Sequence, residues 1–210
     1  MSFSMRNSRG TGIAIALMAL GIGGGSWWLL DDARSDHSAR VPERICNHRL
    51  SGEEAAPLLP DQGADFEEDA IQFSSPQSTG SCHLEGGDEE VYVTYLAGLG
   101  DHPRERVQSK GTPASLGDAY GYLSDKGEIS LYISCGSSSA SGNNRLNVGT
   151  SASLVRDAVG SRGAPTKSTK GLRALSAFAA QAARDIAQDW FKCPGADRLP
   201  DTPVTIHWDR

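Results

Sequence analysis

Residues 128–135 read Glu-Ile-Ser-Leu-Tyr-Ile-Ser-Cys, and this stretch decides the fold class. Every second residue from Ile129 to Ile133 is apolar, and the residues between them are serine or tyrosine. This period-2 alternation is typical of a β-strand in a sheet with one covered face. The preceding residues 124–127, Ser-Asp-Lys-Gly, favour a turn and connect the strand to a β-rich stretch at residues 119–123. The two stretches therefore predict an antiparallel hairpin.

A second hairpin is predicted upstream of the first. Residues 91–96 are rich in β-branched and aromatic side chains, and residues 86–88, Gly-Gly-Asp, favour a turn before them. Shorter candidate strands lie at residues 81–85 and 70–74. Residues 204–208 alternate in the same way and predict a terminal strand.

Helices are predicted at both ends of this series of strands. Ser51 and Glu54 have the spacing of a capping box, which predicts a short helix through about Leu59. Apolar residues from Leu172 to Ile186 recur at helical spacing and predict a long helix over residues 170–192. The fold class expected from this order is α+β. It consists of an antiparallel sheet with a short N-terminal and a long C-terminal helix packed on one face.

Residues 10–30 contain no charged side chain and predict a single N-terminal transmembrane helix. At about 1.5 Å per residue they span roughly 31 Å, enough to cross a hydrocarbon core of about 30 Å. Arg6 and Arg9 precede the segment, so residues 1–9 are expected in the cytoplasm and the C-terminal portion outside the membrane. A cleaved signal peptide is the alternative, which would yield a secreted protein. Trp27 and Trp28 favour the uncleaved anchor, because they suit the headgroup layer.

The predicted anchor also offers a route to self-association. Gly21 and Gly25 form a small-xxx-small pair, which lets two membrane helices approach closely. Ordinary enrichment of glycine in membrane helices is the alternative explanation.

Two further segments follow the anchor. Residues 31–44 are polar up to Pro42 and predict a flexible stalk. Residues 45–210 have the size of one exported domain.

The chain has a formal net charge of −6, which argues against binding nucleic acid through bulk electrostatics. Within residues 61–69 acidic side chains are dense; we expect a solvated loop, because the spacing does not match a calcium loop.

The chain has four cysteines, all of which follow the predicted membrane segment: Cys46, Cys82, Cys135 and Cys193. An even number in an exported domain predicts two disulfides. Three pairings are possible, and we favour the bonds between the first two and between the last two. These would tie the opening segment to an early strand, and a late strand to the end of the C-terminal helix. The alternative, zinc binding with adjacent histidines, lacks the usual finger spacing. No metal and no cofactor are predicted.

The sequence contains no motif of a serine hydrolase, zinc protease, phosphate loop or dinucleotide-binding loop. We therefore assign no catalytic residues. His102, Arg104 and Arg106 form a basic spot on an acidic domain and are the candidate binding residues for a small anion or an acidic partner. The alternative is an exposed polar loop. His83, or His207 with Asp209, would supply a base if the chain were a hydrolase.

A short region resembles a known group of proteins. Cys46 is followed by residues 50–60, Leu-Ser-Gly-Glu-Glu-Ala-Ala-Pro-Leu-Leu-Pro, and by residues 80–84, Gly-Ser-Cys-His-Leu. This arrangement resembles small exported actinobacterial envelope proteins of unknown function, in which a cysteine precedes a Leu-Leu helix and a second lies on an early strand. The resemblance covers residues 45–85 and implies export and disulfides but no activity. This chain differs from the lipoprotein members because no acylation cysteine follows its apolar segment.

From these observations we expect a single-pass membrane protein whose extracellular domain binds a partner, such as an envelope protein, and performs no chemistry. The alternatives are an exported hydrolase with no recognisable motif and a small-anion sensor or carrier.

Overall fold

The computed structural model describes residues 41–59, 65–73, 77–136, 144–159 and 170–208. The predicted membrane segment with Gly21 and Gly25, and the predicted stalk up to residue 40, lie outside the described residues. Within the described ranges, no helix has the length and apolar character of a membrane span.

The described residues form a mixed α/β fold on a large antiparallel sheet. The strands of the described residues are β1 (Arg44–Ile45), β2 (Leu50–Ser51), β3 (Phe66–Ile71), β4 (Thr79–Gly86), β5 (Glu89–Leu99), β6 (Thr112–Leu116), β7 (Ala119–Leu123), β8 (Ile129–Ser134), β9 (Arg145–Ala152) and β10 (Thr205–Ile206). The α-helices are α1 (Arg104–Gln108), α2 (Ser153–Val159) and α3 (Lys170–Arg184), and α3 continues into a π-helix, Asp185–Trp190. Two 3-10 helices are Ala56–Leu58 and Ala196–Arg198.

Within the described ranges, the main sheet has eight strands in the order β10-β6-β7-β8-β9-β5-β4-β3, and β1 pairs with β2 separately. Strands β3 to β5 and strands β6 to β9 each form a meander of sequential antiparallel neighbours. The two meanders are joined where β9 pairs with β5, with Tyr95 opposite Val148. The pairing of β5 with β9 thus brings together residues that are far apart in the sequence.

Both predicted hairpins and the terminal strand are confirmed. In the β4–β5 hairpin, Gly86 pairs with Glu89, so that Gly87 and Asp88 form the turn. Gly87 has φ +65°, a conformation that glycine adopts without steric cost. Strand β10 pairs with β6, with Ile206 opposite Ala114.

Strands β6 and β9 were not predicted from the sequence. β6 contains Pro113, which removes a backbone donor, but the strand lies next to the short edge strand β10, where proline is tolerated. β9 contains Asn147 and Gly149, which have low β-propensity. Its position between β5 and β8 supplies hydrogen-bonding partners on both sides and outweighs that local preference.

The predicted N-terminal helix is wrong in extent and type. Leu50 and Ser51 belong to β2, and the following helix is a single 3-10 turn, Ala56–Leu58. The Ser51 hydroxyl does accept a hydrogen bond from the Glu53 N–H, at 3.3 Å. Pro57 then occupies the first turn of the 3-10 helix, which begins only at Ala56.

The acidic loop is also wrong in part, because Glu67, Glu68 and Asp69 lie in β3. β3 is the edge strand of the sheet, so charged side chains can project into solvent. Glu68 has a structural role instead. Its carboxylate accepts the backbone N–H groups of Cys46 and Asn47 at 2.8 and 2.7 Å and thereby holds the tight turn between β1 and β2.

Helix α3 covers the inner face of the sheet, as the apolar stripe predicted. Leu175, Phe178, Ala182 and Ile186 are all fully buried. A cluster of aromatic rings closes the core at the end of the π-helix, and its members are Phe73, Tyr95, Trp190 and Phe191.

The prediction that only one face of the sheet is covered is wrong at β8. Ser130 and Tyr132 point away from α3, yet they are only 3% and 6% exposed. Tyr132 packs with Tyr120 and with Val107 of α1, which form a second, smaller apolar cluster. Helix α1 therefore lies on the outer face, which we define as the face turned away from α3.

Both favoured disulfides are present, Cys46–Cys82 and Cys135–Cys193. Their Cα–Cα distances are 5.6 and 4.2 Å. All four cysteines are thus bonded to each other and cannot serve as zinc ligands. Two disulfides indicate an oxidising, extracytoplasmic environment.

Candidate functional site

A group of arginine, lysine and histidine side chains surrounds tyrosine rings on the outer face. We call it the cation–tyrosine cluster, and its members are His102, Arg104, Lys110, Tyr120, Tyr122, Tyr132 and Arg145. The tyrosines come from β7 and β8, and the arginine, lysine and histidine residues come from β9 and from the segment around α1. Tertiary pairing of β8 with β9 brings these two parts of the chain together.

Tyr120 is the centre of the cluster. The guanidinium carbons of Arg104 and Arg145 lie 5.0 and 5.2 Å from the centroid of its ring, within the range of cation–π attraction. The Tyr120 hydroxyl donates a hydrogen bond to the backbone oxygen of His102. Burial raises the pKa of the Tyr120 phenol, so the group stays protonated and keeps this bond at neutral pH.

Arg145 differs from the other cations because it is largely buried. Its side chain is 15% exposed, and its Nε is buried without a hydrogen-bond partner. One terminal nitrogen lies 3.6 Å from a carboxylate oxygen of the exposed Asp101. Buried donors are rarely left unpaired in native proteins, so Arg145 Nε is unusual.

A cavity of about 360 Å³ lies beside Arg145. The Cys135–Cys193 disulfide, Asn144 and Lys192 contribute to its wall. Asn144 Oδ1 is buried and, like Arg145 Nε, has no hydrogen-bond partner. The residues of the wall thus include a guanidinium (Arg145), an amide (Asn144) and an ammonium group (Lys192). Cavities of this size are typical of small-ligand sites.

The structure brings together some of the candidate binding residues and not others. His102 and Arg104 both contact tyrosines of the cluster. Arg106 is exposed on α1 and takes no part in the contacts with tyrosines described above. Its backbone oxygen accepts a hydrogen bond from the Ser109 hydroxyl.

Sequence reasoning missed Arg145 and Lys110. Arg145 follows a low-complexity segment, so no local pattern marks it as part of a site. The available signal was the set of tyrosines on predicted strands, since aromatic rings attract cationic side chains.

No protein-family model, curated protein or solved structure matches this chain.

His207, a candidate base, forms a hydrogen-bonded pair with a serine. Its Nε2 lies 2.8 Å from the hydroxyl oxygen of Ser115, where β10 pairs with β6. A serine hydrolase also needs an acid that orients the base, and donors for the oxyanion. Asp209, the acid expected from the sequence, lies outside the described residues. The described residues thus provide a hydroxyl and a base but no complete triad.

Proposed function

We propose that this protein is a membrane-tethered, extracytoplasmic binding domain that holds a small anionic ligand in the cavity beside Arg145. The single observation that carries the proposal is that Arg145, whose Nε is buried without a hydrogen-bond partner, contributes to the wall of that cavity. A carboxylate or phosphate oxygen would complete its hydrogen bonding.

The polar atoms around the cavity favour a ligand with both an anionic oxygen and a donor group. Arg145 and Lys192 would bind the anion, and Asn144 Oδ1 would accept a hydrogen bond from a ligand hydroxyl or amine. A carboxylate or phosphate carrying such a group is the ligand class that matches.

The charge distribution supports an anionic ligand. The chain as a whole has a net charge of −6, yet Arg104, Lys110 and Arg145 are gathered around the tyrosine rings. A local positive region in an acidic protein attracts anions more strongly than the net charge suggests. Asp101 offsets part of this charge, and its exposed side chain is free to move aside for a ligand.

The binding test uses the full-length protein in detergent micelles, titrated with inorganic phosphate and with small hydroxycarboxylates by NMR. Arg145→Gln is expected to weaken binding about tenfold to a hundredfold, because a hydrogen bond to a charged group contributes about 1.5–3 kcal/mol. Lys126→Gln is the matched control, since it removes one positive charge from the exposed turn after β7 and should leave binding unchanged.

Two results would contradict the proposal. One is the absence of any saturable change in NMR chemical shift up to about 10 mM of each anion, because even a loose site is expected to bind more tightly than that. The other is equal weakening by both substitutions, which would indicate general charge attraction without a specific site.

The tether rests on the charge-free residues 10–30 and agrees with the disulfides, which form outside the cytoplasm. We infer a cytoplasmic N-terminus and an extracellular domain. The intact mass of the protein from its native membrane is expected to equal that of the full chain less four hydrogens. A mass that lacks the first 25 or so residues would instead establish a cleaved signal peptide.

A further inference from the structure

A second group of polar side chains lies at the other end of the outer face, on the β4–β5 hairpin. His83 and Glu85 are two residues apart on β4 and so share a face. Glu90 of β5 lies directly opposite Glu85. The carboxylate oxygens and the imidazole nitrogen of these three residues all lie within 4.8 Å of one another. The tight Gly87–Asp88 turn fixes the register that brings them together.

We propose that His83, Glu85 and Glu90 bind a divalent metal ion, for which Zn²⁺ is the best match. One imidazole nitrogen and two carboxylate oxygens are a donor set that zinc accepts, with a fourth position left for water or a partner group. This site is independent of the anion cavity.

The distances fit such a site. His83 Nδ1 lies 3.2 Å from Glu85 Oε1. Two donors held at about 2.0–2.1 Å from a tetrahedral zinc ion are about 3.3 Å apart. The side chains of Glu85 and Glu90 are 45% and 37% exposed, so rotation of the carboxylates can close the remaining distances.

Neighbouring groups already orient the donors. The His83 ring stacks on Tyr92, with centroids 4.1 Å apart and an interplanar angle of 9°. Its Nδ1 faces the Glu85 carboxylate, and its Nε2 is buried without a hydrogen-bond partner. The Tyr92 hydroxyl donates to Glu90 Oε2 at 3.4 Å. Hydrogen bonds of this kind, from a second layer of residues to a metal-binding carboxylate, are common at metal sites.

The electrostatics of the hairpin supply an independent reason for a cation. Glu67 of β3 lies opposite Glu85, which lies opposite Glu90, so three carboxylates form one row across three strands. Asp69 lies opposite His83 in the next row. Like charges directly opposite each other destabilise a sheet. Arg156 offsets part of this repulsion, 3.5 Å from Glu90 Oε2, and a divalent ion would offset more.

The test measures zinc binding to the full-length protein in detergent, prepared metal-free and without a histidine tag, by competition with a chromogenic zinc indicator. We expect one Zn²⁺ per chain. His83→Gln and Glu90→Gln should each weaken binding at least about tenfold, and Tyr92→Phe about tenfold. The matched controls are His207→Gln and Glu105→Gln, which change the same residue types away from the hairpin and should have no effect.

Two further measurements test the proposal even if a variant folds poorly. Zinc should raise the Tm of the wild type and should not raise that of His83→Gln. X-ray absorption of the zinc-loaded wild type should show a first shell of nitrogen and oxygen. The proposal is overturned by the absence of saturable binding, by unchanged affinity in His83→Gln, or by sulfur in the first shell.

Discussion

Replacing Cys135 and Cys193 by serine is expected to lower the free energy of unfolding by about 4 kcal/mol. The bond closes a loop between residues 58 positions apart in the sequence, so its loss frees a long stretch of the unfolded chain. It also joins the end of β8 to the segment after the π-helix, which places Asn144 and Lys192 around the cavity. Urea denaturation followed by tryptophan fluorescence measures the change.

The other disulfide serves as a comparison. Serine at Cys46 and Cys82 opens a loop whose ends are 36 positions apart, for which the same argument also gives about 4 kcal/mol. Only the loss of Cys135–Cys193 should in addition weaken anion binding, because only that bond contributes to the wall of the cavity. An unchanged urea midpoint without Cys135–Cys193 would contradict the assigned role of this bond.

Phe73→Ala is expected to lower the free energy of unfolding by about 3–5 kcal/mol. Phe73 is fully buried, and its ring lies 5.2 Å from Tyr95 in an edge-to-face contact and 5.0 Å from Trp190. Removal of the ring would leave a void between β5 and the π-helix that the disulfide-braced surroundings cannot collapse to fill. Urea denaturation measures the loss, and the fluorescence of Trp190 should change in the folded state.

Two variants calibrate the result for Phe73. Phe66→Ala removes the same side chain from a partly buried position at the edge of the core and should cost clearly less. Phe73→Leu keeps most of the apolar volume and should fall between Phe73→Ala and the wild type. Equal losses for Phe66→Ala and Phe73→Ala would show that the aromatic cluster is not specially packed.

Phe73 also shows where sequence patterns stop being informative. It lies in the candidate strand at residues 70–74, but β3 ends at Ile71 and Phe73 follows it outside regular structure. The alternation there does not distinguish Phe73, which is fully buried, from Ile71, which is 56% exposed. The stripe of α3 was predictable, because helical periodicity exposes one apolar face. Phe73 joins the core only because tertiary packing places its ring against Tyr95 and Trp190.

The same division applies to the candidate sites. His102 and Arg104 could be singled out as a local basic spot, since they are neighbours in the sequence. Arg145 could not, because it meets Tyr120 only through the pairing of β7 with β8 and of β8 with β9. The zinc site proposed on the β4–β5 hairpin depends on register, because shifting the pairing by one residue would move Glu90 away from Glu85.

The sequence by itself determined the features that depend on local order. These are the two hairpins, the long amphipathic helix, the supply of four cysteines and the charge-free segment at residues 10–30. Turn chemistry and side-chain periodicity act over a few residues and leave a readable pattern. Tertiary structure alone decided that β9 lies between β5 and β8, that α1 covers the outer face, and that Arg145 meets the cavity. Those outcomes depend on burial and backbone pairing between distant segments, which no local pattern encodes.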